Sequence, residues 1–182
     1  GLERREHAHR HRDQRDDRVS LLNDCKYGHS VKDSCISLTL IKSGIEPNPT
    51  TDQETHHFTY AIYPHAETWR AAGTVREAYF LNQPALAVAG GVPGDSFSLA
   101  FCDAPNVVVE TVKQAEDGDG VIVRMYESEN ALTETALHWG LPFASAESCD
   151  CLEQPDGEPV AAEDGSVRFT IKPYEIKTLR IR

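Results

Sequence analysis

The stretch Asn106–Ser128, "NVVVETVKQAEDGDGVIVRMYES", constrains the fold more than any other part of the chain. Two β-branched runs, Val107 to Val112 and Val121 to Tyr126, flank Glu116, Asp117, Gly118, Asp119 and Gly120. Asp-Gly pairs supply the positive φ angles that tight turns between antiparallel strands require, so the spacing predicts a hairpin. A chain built around such a hairpin must bury one face of a sheet.

Period two recurs elsewhere. In "SCISLTLIKS" (34–43) Ile36, Leu38 and Leu40 alternate with Cys35, Ser37 and Thr39, and "THHFTYAIYPH" (55–65) reads as a further strand stopped by Pro64. "ALTETALHW", "FASAESCDCLEQP", "VRFTIKP" and "YEIKTLRIR" continue the pattern. Between the first two lies "SGIEPNPTTDQE", a loop by its Pro and Asn content. One segment departs: in "ETWRAAGTVREAYFLN", Trp69, Ala72, Val75 and Tyr79 share a helical face. This predicts a short helix over Trp69–Leu81, weakened by Gly73 and ended by Asn82 and Pro84. The expectation is an all-β protein, a β-sandwich with one short helix.

With 182 residues, 40% of them hydrophobic and 26% charged, the chain is long enough to bury a core. The net charge of −11 argues against nucleic acid, because phosphate binding needs an excess of Lys and Arg. No apolar run has the length of a membrane span, and no secretory leader is recognisable in "GLERREHAHRHRDQRDDR". Five cysteines without a CxxC pair read as reduced thiols, which places the protein in the cytoplasm. Cys149 and Cys151, two apart, share a face if they lie in one strand.

No motif proves an active site. His7, His9, His11 and Asp13 alternate without the remaining ligands a zinc site needs. His56 and His57 point to opposite faces of any strand, and His65 and His138 read as packed or surface residues. Asp117 and Asp119 lack the continuation of a calcium loop and read as turn residues. "AGGVPGD" (89–95) lacks the Lys-bearing helix of a phosphate loop. Arg70, Arg76 and Glu77 read as ties between the helix and its surroundings, and Trp69 and Trp139 as packing residues.

Taken in order, "LLNDCKYGH", "FTYAIYPH", "WRAAGTVREAYFLNQP", "VVVETVKQAEDGDGVIVRMYE" and the ending "YEIKTLRI" resemble the C-terminal β-domains of α-mannosidases of glycoside hydrolase family 38. The resemblance runs from about Val19 to Arg182. It implies a galactose-mutarotase-like large sandwich, of which residues 1–66 would be the terminal strands. It also implies a small immunoglobulin-like C-terminal sandwich over 67–182, opening with the helix. Members of this family are zinc-dependent retaining glycosidases whose nucleophile and metal ligands lie in an N-terminal domain. By the resemblance this chain would have no catalytic residue and no metal site, and alone it would be inactive. Its partners would be that catalytic domain and, through it, a mannose-containing glycan.

The loop "NDCKYG" is then the candidate to approach the sugar. Lys26 would face the substrate, held by Asp24 through a charge-assisted bond, with Tyr27 offering a ring and Asn23 a polar contact. The plainer alternative is that Asn23 and Asp24 only cap a turn ending at Gly28. Two other function classes stay open: an autonomous carbohydrate-binding sandwich, and a structural domain that forms homo-oligomers through exposed strand edges.

Overall fold

A computed structural model describes residues 18–90 and 96–182. It is an all-β protein of twelve strands with one helix among the described residues. The chain divides into two compact units, residues 1–89 and 90–182.

The second unit is a complete sandwich. One sheet is built from β5 (Ala100–Cys102), β8 (Thr133–Trp139), β10 (Ala161–Glu163) and β11 (Ser166–Ile171), in the order β10-β11-β8-β5. The other contains β6 (Val107–Gln114), β7 (Val121–Glu127), β9 (Ala146–Cys149) and β12 (Ile176–Ile181), in the order β6-β7-β12-β9. Alternation builds the core between them. Val123 and Met125 of β7, Leu137 and Trp139 of β8, Val167, Phe169 and Ile171 of β11, and Leu179 and Ile181 of β12 are all buried in one cluster. Trp139 is thus a core residue, as its sequence context predicts.

The expected hairpin is β6–β7. Gly118 and Gly120 adopt φ of 79° and 97°, and the Asp119 amide donates to Asp117 Oδ1 at 2.9 Å, so both aspartates are turn residues. At Gly120 a side chain is excluded twice over, by its φ and because a Cβ would lie 2.5 Å from the Ile181 carbonyl. Cys149 ends β9 and is buried, whereas Cys151 lies in the following turn and is exposed. The two therefore do not share a strand face.

The first unit is different in kind. β1 (Arg18–Asn23) pairs with β4 (Tyr60–His65), and β2 (His29–Lys32) with β3 (Cys35–Leu38), as two separate two-stranded sheets. Pro64 lies inside β4, opposite Val19, instead of ending the strand before it. A two-stranded ribbon leaves alternate amides of each strand outside the ladder, where a missing N–H costs nothing. The strand expected over 34–43 is short for a related reason: only 35–38 has a partner strand.

The helix, α1, spans Thr74–Asn82. Its expected first turn is replaced by turns, because Gly73 takes the left-handed conformation (φ 64°) and cannot continue a right-handed helix. Thr74 Oγ1 bonds Ser20 Oγ at 3.0 Å, Asn82 Nδ2 donates to the Asn23 carbonyl at 3.2 Å, and Tyr63 Oη donates to the Ala72 carbonyl at 3.0 Å. These bonds set α1 and its lead-in against the β1–β4 ribbon, within the first unit. By compact packing the helix groups with the first unit, residues 1–89. Trp69 stays at the surface, with the Arg70 guanidinium 4.6 Å from its ring centre.

Among the described residues of the first unit, none is buried. The face of the ribbon that carries Ser20, Tyr63 and His65 meets the helix and its lead-in. The opposite face carries Val19, Leu21, Tyr60, Ile62 and Pro64, with Val19 49% and Ile62 66% exposed. On it Tyr60 is 55% exposed as well, and Leu21 is half-buried.

Candidate functional site

The loop from Asn23 to His29 leaves the end of β1 and enters β2, and its backbone is fixed by its own short polar side chains. Asn23 Oδ1 accepts the Lys26 amide at 2.6 Å, the local bond by which Asn shapes a turn. Asp24 makes a two-way tie to the segment before β4. Its amide donates to the Thr59 carbonyl at 3.2 Å, and its Oδ2 accepts the Thr59 amide at 2.9 Å. A bond from the Cys25 side chain, followed by that amide, lowers the Asp24 pKa, and the same carboxylate raises that of the Cys25 thiol.

His29 closes the loop. Its Nδ1 lies 2.9 Å from the Tyr27 carbonyl, so this nitrogen carries the proton. Nε2 is then free to accept from Asn23 Nδ2 at 3.3 Å. At Gly28 a Cβ would stand 3.0 Å from Thr39 Cβ, and the Thr39 amide donates to the Gly28 carbonyl at 2.8 Å. The glycine lets the loop pass closely beside the strand.

The four candidate residues therefore divide by role. Asn23 and Asp24 hold the loop. Asp24 does not orient Lys26: its carboxylate is committed to the Thr59 amide and to Cys25. The Lys26 ammonium instead sits 4.9 Å from the centre of the Phe58 ring, a cation–π contact that leaves its three donors available. Tyr27 is 91% exposed. A cation on an aromatic ring beside an exposed phenol can donate to, and stack against, a polyhydroxylated ligand. Phe58 is the member that sequence reasoning missed. It lies two residues before β4, and the Asp24–Thr59 tie beside it holds that segment next to the Lys26 loop.

The remaining candidates are structural. His65 bonds Ser20 Oγ at 2.9 Å and the Glu67 carbonyl at 2.7 Å. His56 bonds the Asp52 carbonyl at 2.9 Å, and neither it nor His57 lies in a strand. Arg76 and Glu77 form no ion pair among the described residues. His7, His9, His11 and Asp13, and residues 91–95 of the Gly-rich stretch, lie outside the described residues. Among those described, no group of three or more His, Cys, Asp or Glu has the arrangement of a metal site.

Residues 106–179 match the family described as "Glycosyl hydrolases family 38 C-terminal beta sandwich domain". Residues 8–50 match "Glycosyl hydrolases family 38 C-terminal domain". The chain is similar to human Alpha-mannosidase 2C1, 38% identical over 167 residues that make up 88% of this chain and 16% of that protein. Its likeness to Alpha-mannosidase G of Dictyostelium discoideum is 35% over 179 residues, 89% of this chain and 16% of that protein. The yeast Alpha-mannosidase (Saccharomyces cerevisiae) is 29% identical over 187 residues, covering 90% of this chain. The chain spans about a sixth of the length of these curated relatives. The complete sandwich of the second unit and the loop-bearing strands of the first are thus matched by two parts of one family, and the chain belongs to glycosyl hydrolase family 38, in its C-terminal β-sandwich region.

Proposed function

We propose that this chain is a non-catalytic scaffold of a longer α-mannosidase. It buttresses a catalytic domain that holds the zinc and the nucleophile, and it lends the sugar site the loop that carries Lys26 and Tyr27. The observation that carries this reading is the largely exposed apolar face of the β1–β4 ribbon. A sheet with Val19, Leu21, Tyr60 and Ile62 on one side, and no buried residue, is unfinished as a domain. Further strands or a facing layer would cover that side, whereas the second unit already has its own core. The five cysteines are free thiols, which fits a reducing cytoplasm. The described residues supply no donor set for zinc, and no step of the hydrolysis is assigned to them.

A chromogenic α-mannoside tests the proposal. With zinc present, the isolated chain gives no turnover above background, and a longer protein that carries it does. In the longer protein Lys26→Ala lowers kcat/KM by about tenfold or more, the effect of removing one charged hydrogen bond to substrate, with folding unchanged. Turnover by the isolated chain would refute the scaffold reading. Unaltered kinetics in Lys26→Ala would reduce the loop to a structural turn.

A further inference from the structure

The sandwich of the second unit has an outer face that its core does not use. On β8, Glu134, Ala136 and His138 alternate with the inward Leu137 and Trp139; on β11, Arg168 and Thr170 alternate with Val167, Phe169 and Ile171. The register sets Arg168 opposite Ala136 and Thr170 opposite Glu134, and Phe101 of β5 opposite His138. A depression of about 530 Å³ lies on this face, lined by Asp103, Glu134, Ala136, Val160, Arg168 and Thr170 among others. Beside it the Phe101 and His138 rings stack, 4.7 Å between centres and 14° from parallel. His138 Nε2 is 2.6 Å from Asp103 Oδ1. Phe101 is 51% exposed and lies on an edge strand.

Three polar side chains of the depression are free, whereas its Thr135 hydroxyl accepts the Ala104 amide at 3.2 Å. Glu134, Arg168 and the Thr170 hydroxyl have no hydrogen-bond or ion-pair partner among the described residues. Asp103 uses one oxygen on His138 and keeps the other. Donors and acceptors of both charges thus stand unpaired around one hollow with Ala136 and Val160 in its lining. An anion entering it meets two carboxylates, and a metal ion meets a guanidinium. A neutral polyol matches the set, because each of its hydroxyls both donates and accepts. The size is that of a small-molecule site, and the exposed Phe101 ring, stacked on the histidine that bonds Asp103, suits the C–H face of a sugar.

We propose that this depression binds a short neutral oligosaccharide, with Arg168 donating, Glu134 and Asp103 accepting, and Phe101 packing on the sugar ring. The site lies wholly in the second unit and stands or falls independently of the scaffold reading. The whole 182-residue chain, isotope-labelled for amide NMR, is titrated with mannobiose, cellobiose and chitobiose, and separately with sulfate. At least one disaccharide gives saturable shifts confined to residues 101–103, 134–138 and 168–170. Arg168→Ala weakens that binding about tenfold or more and leaves the thermal midpoint in place, since the side chain is exposed. Glu134→Gln gives the same reading if Arg168→Ala does not fold. Saturation by no disaccharide, shifts elsewhere, unchanged binding in both variants, or occupation of the site by sulfate in preference to sugar each overturns the proposal.

Discussion

Replacing Glu127 with alanine lowers the stability of the second unit by about 3–5 kcal/mol at neutral pH. The residue ends β7, is 1% exposed, and sits where four segments meet. One carboxylate oxygen accepts Asn106 Nδ2 and the Glu129 amide, both at 2.8 Å. The other accepts the amides of Asn130 at 2.8 Å and Tyr174 at 3.0 Å. Asn106 in turn bonds Thr133 Oγ1 at 2.8 Å. Removing the carboxylate leaves four half-buried N–H bonds, from the residue before β6, the β7–β8 turn and the turn before β12, without their acceptor. Burial raises the Glu127 pKa, but the N–H donors outweigh it, led by the Tyr174 amide and the Asn106 side chain, and bring the value from 4.5 down to about 2.

The direction of the pH effect follows. The unfolded chain binds the proton first, so the stabilisation is fully present above about pH 4.5 and is lost as pH falls towards 2, up to ~3 kcal/mol. Urea denaturation of wild type and Glu127→Ala at a series of pH values checks this. The gap between them closes across that acid window. A gap below about 1 kcal/mol at neutral pH, or one that does not vary with acid, contradicts the account.

Arg180 gives the second large effect, with a contrast built in. Its side chain is 4% exposed. Nη1 donates to Asp117 Oδ2 at 2.7 Å and to the Asp119 carbonyl at 3.2 Å. Nη2 donates to the Glu153 carbonyl at 2.9 Å. One buried cation thereby ties the β6–β7 turn and the loop after β9 to β12. Arg182 adds pairs with Asp119 and Glu147, each at 2.7 Å. The network is imperfect: Arg180 Nε is buried without a hydrogen-bond partner among the described residues, 3.9 Å from Glu147 Oε1. Arg180→Ala loses packing and strands the Glu153 carbonyl, at a cost of about 2–4 kcal/mol. Arg180→Met strands the same carbonyl but keeps most of the packing and removes the unpartnered Nε, so it costs less than Arg180→Ala, by about 1 kcal/mol or more. In both variants the Asp117 pKa rises, because the guanidinium is the first cause of its lowering. Equal losses in Ala and Met would show the charge, not the packing, to be decisive.

The sequence made the second unit readable because its signals are local. Asp117-Gly118-Asp119-Gly120 demands a tight turn, and the β-branched runs around it have no helical alternative. Where backbone conformation or long-range partners decide the outcome, local pattern does not reveal it. The helical spacing runs through Gly73, but its left-handed φ moves the helix start to Thr74. Pro64 has the look of a strand end in the sequence, yet a two-stranded ribbon accommodates it. In the candidate loop the residue types were legible and their pairing was not. An Asp two residues before a Lys invites an ion pair, yet the Asp24 carboxylate is held by the Thr59 amide, 35 positions along the chain. No periodicity encodes that bond. The hollow on the outer face of the second unit was equally hidden, since Glu134, Arg168 and Phe101 meet only through the register of β5, β8 and β11.

Hydrogen exchange along the isolated chain tests most directly whether the first unit is an unfinished part of something larger. Amides of β7, β8, β11 and β12, packed around the core of the second unit, exchange only at the rate of global unfolding. Amides of β1 and β4, in a ribbon with no buried residue, exchange at least about a hundredfold faster. Protection in β1 and β4 equal to that of β7 and β12 would show the first unit to be complete on its own, and would contradict the account.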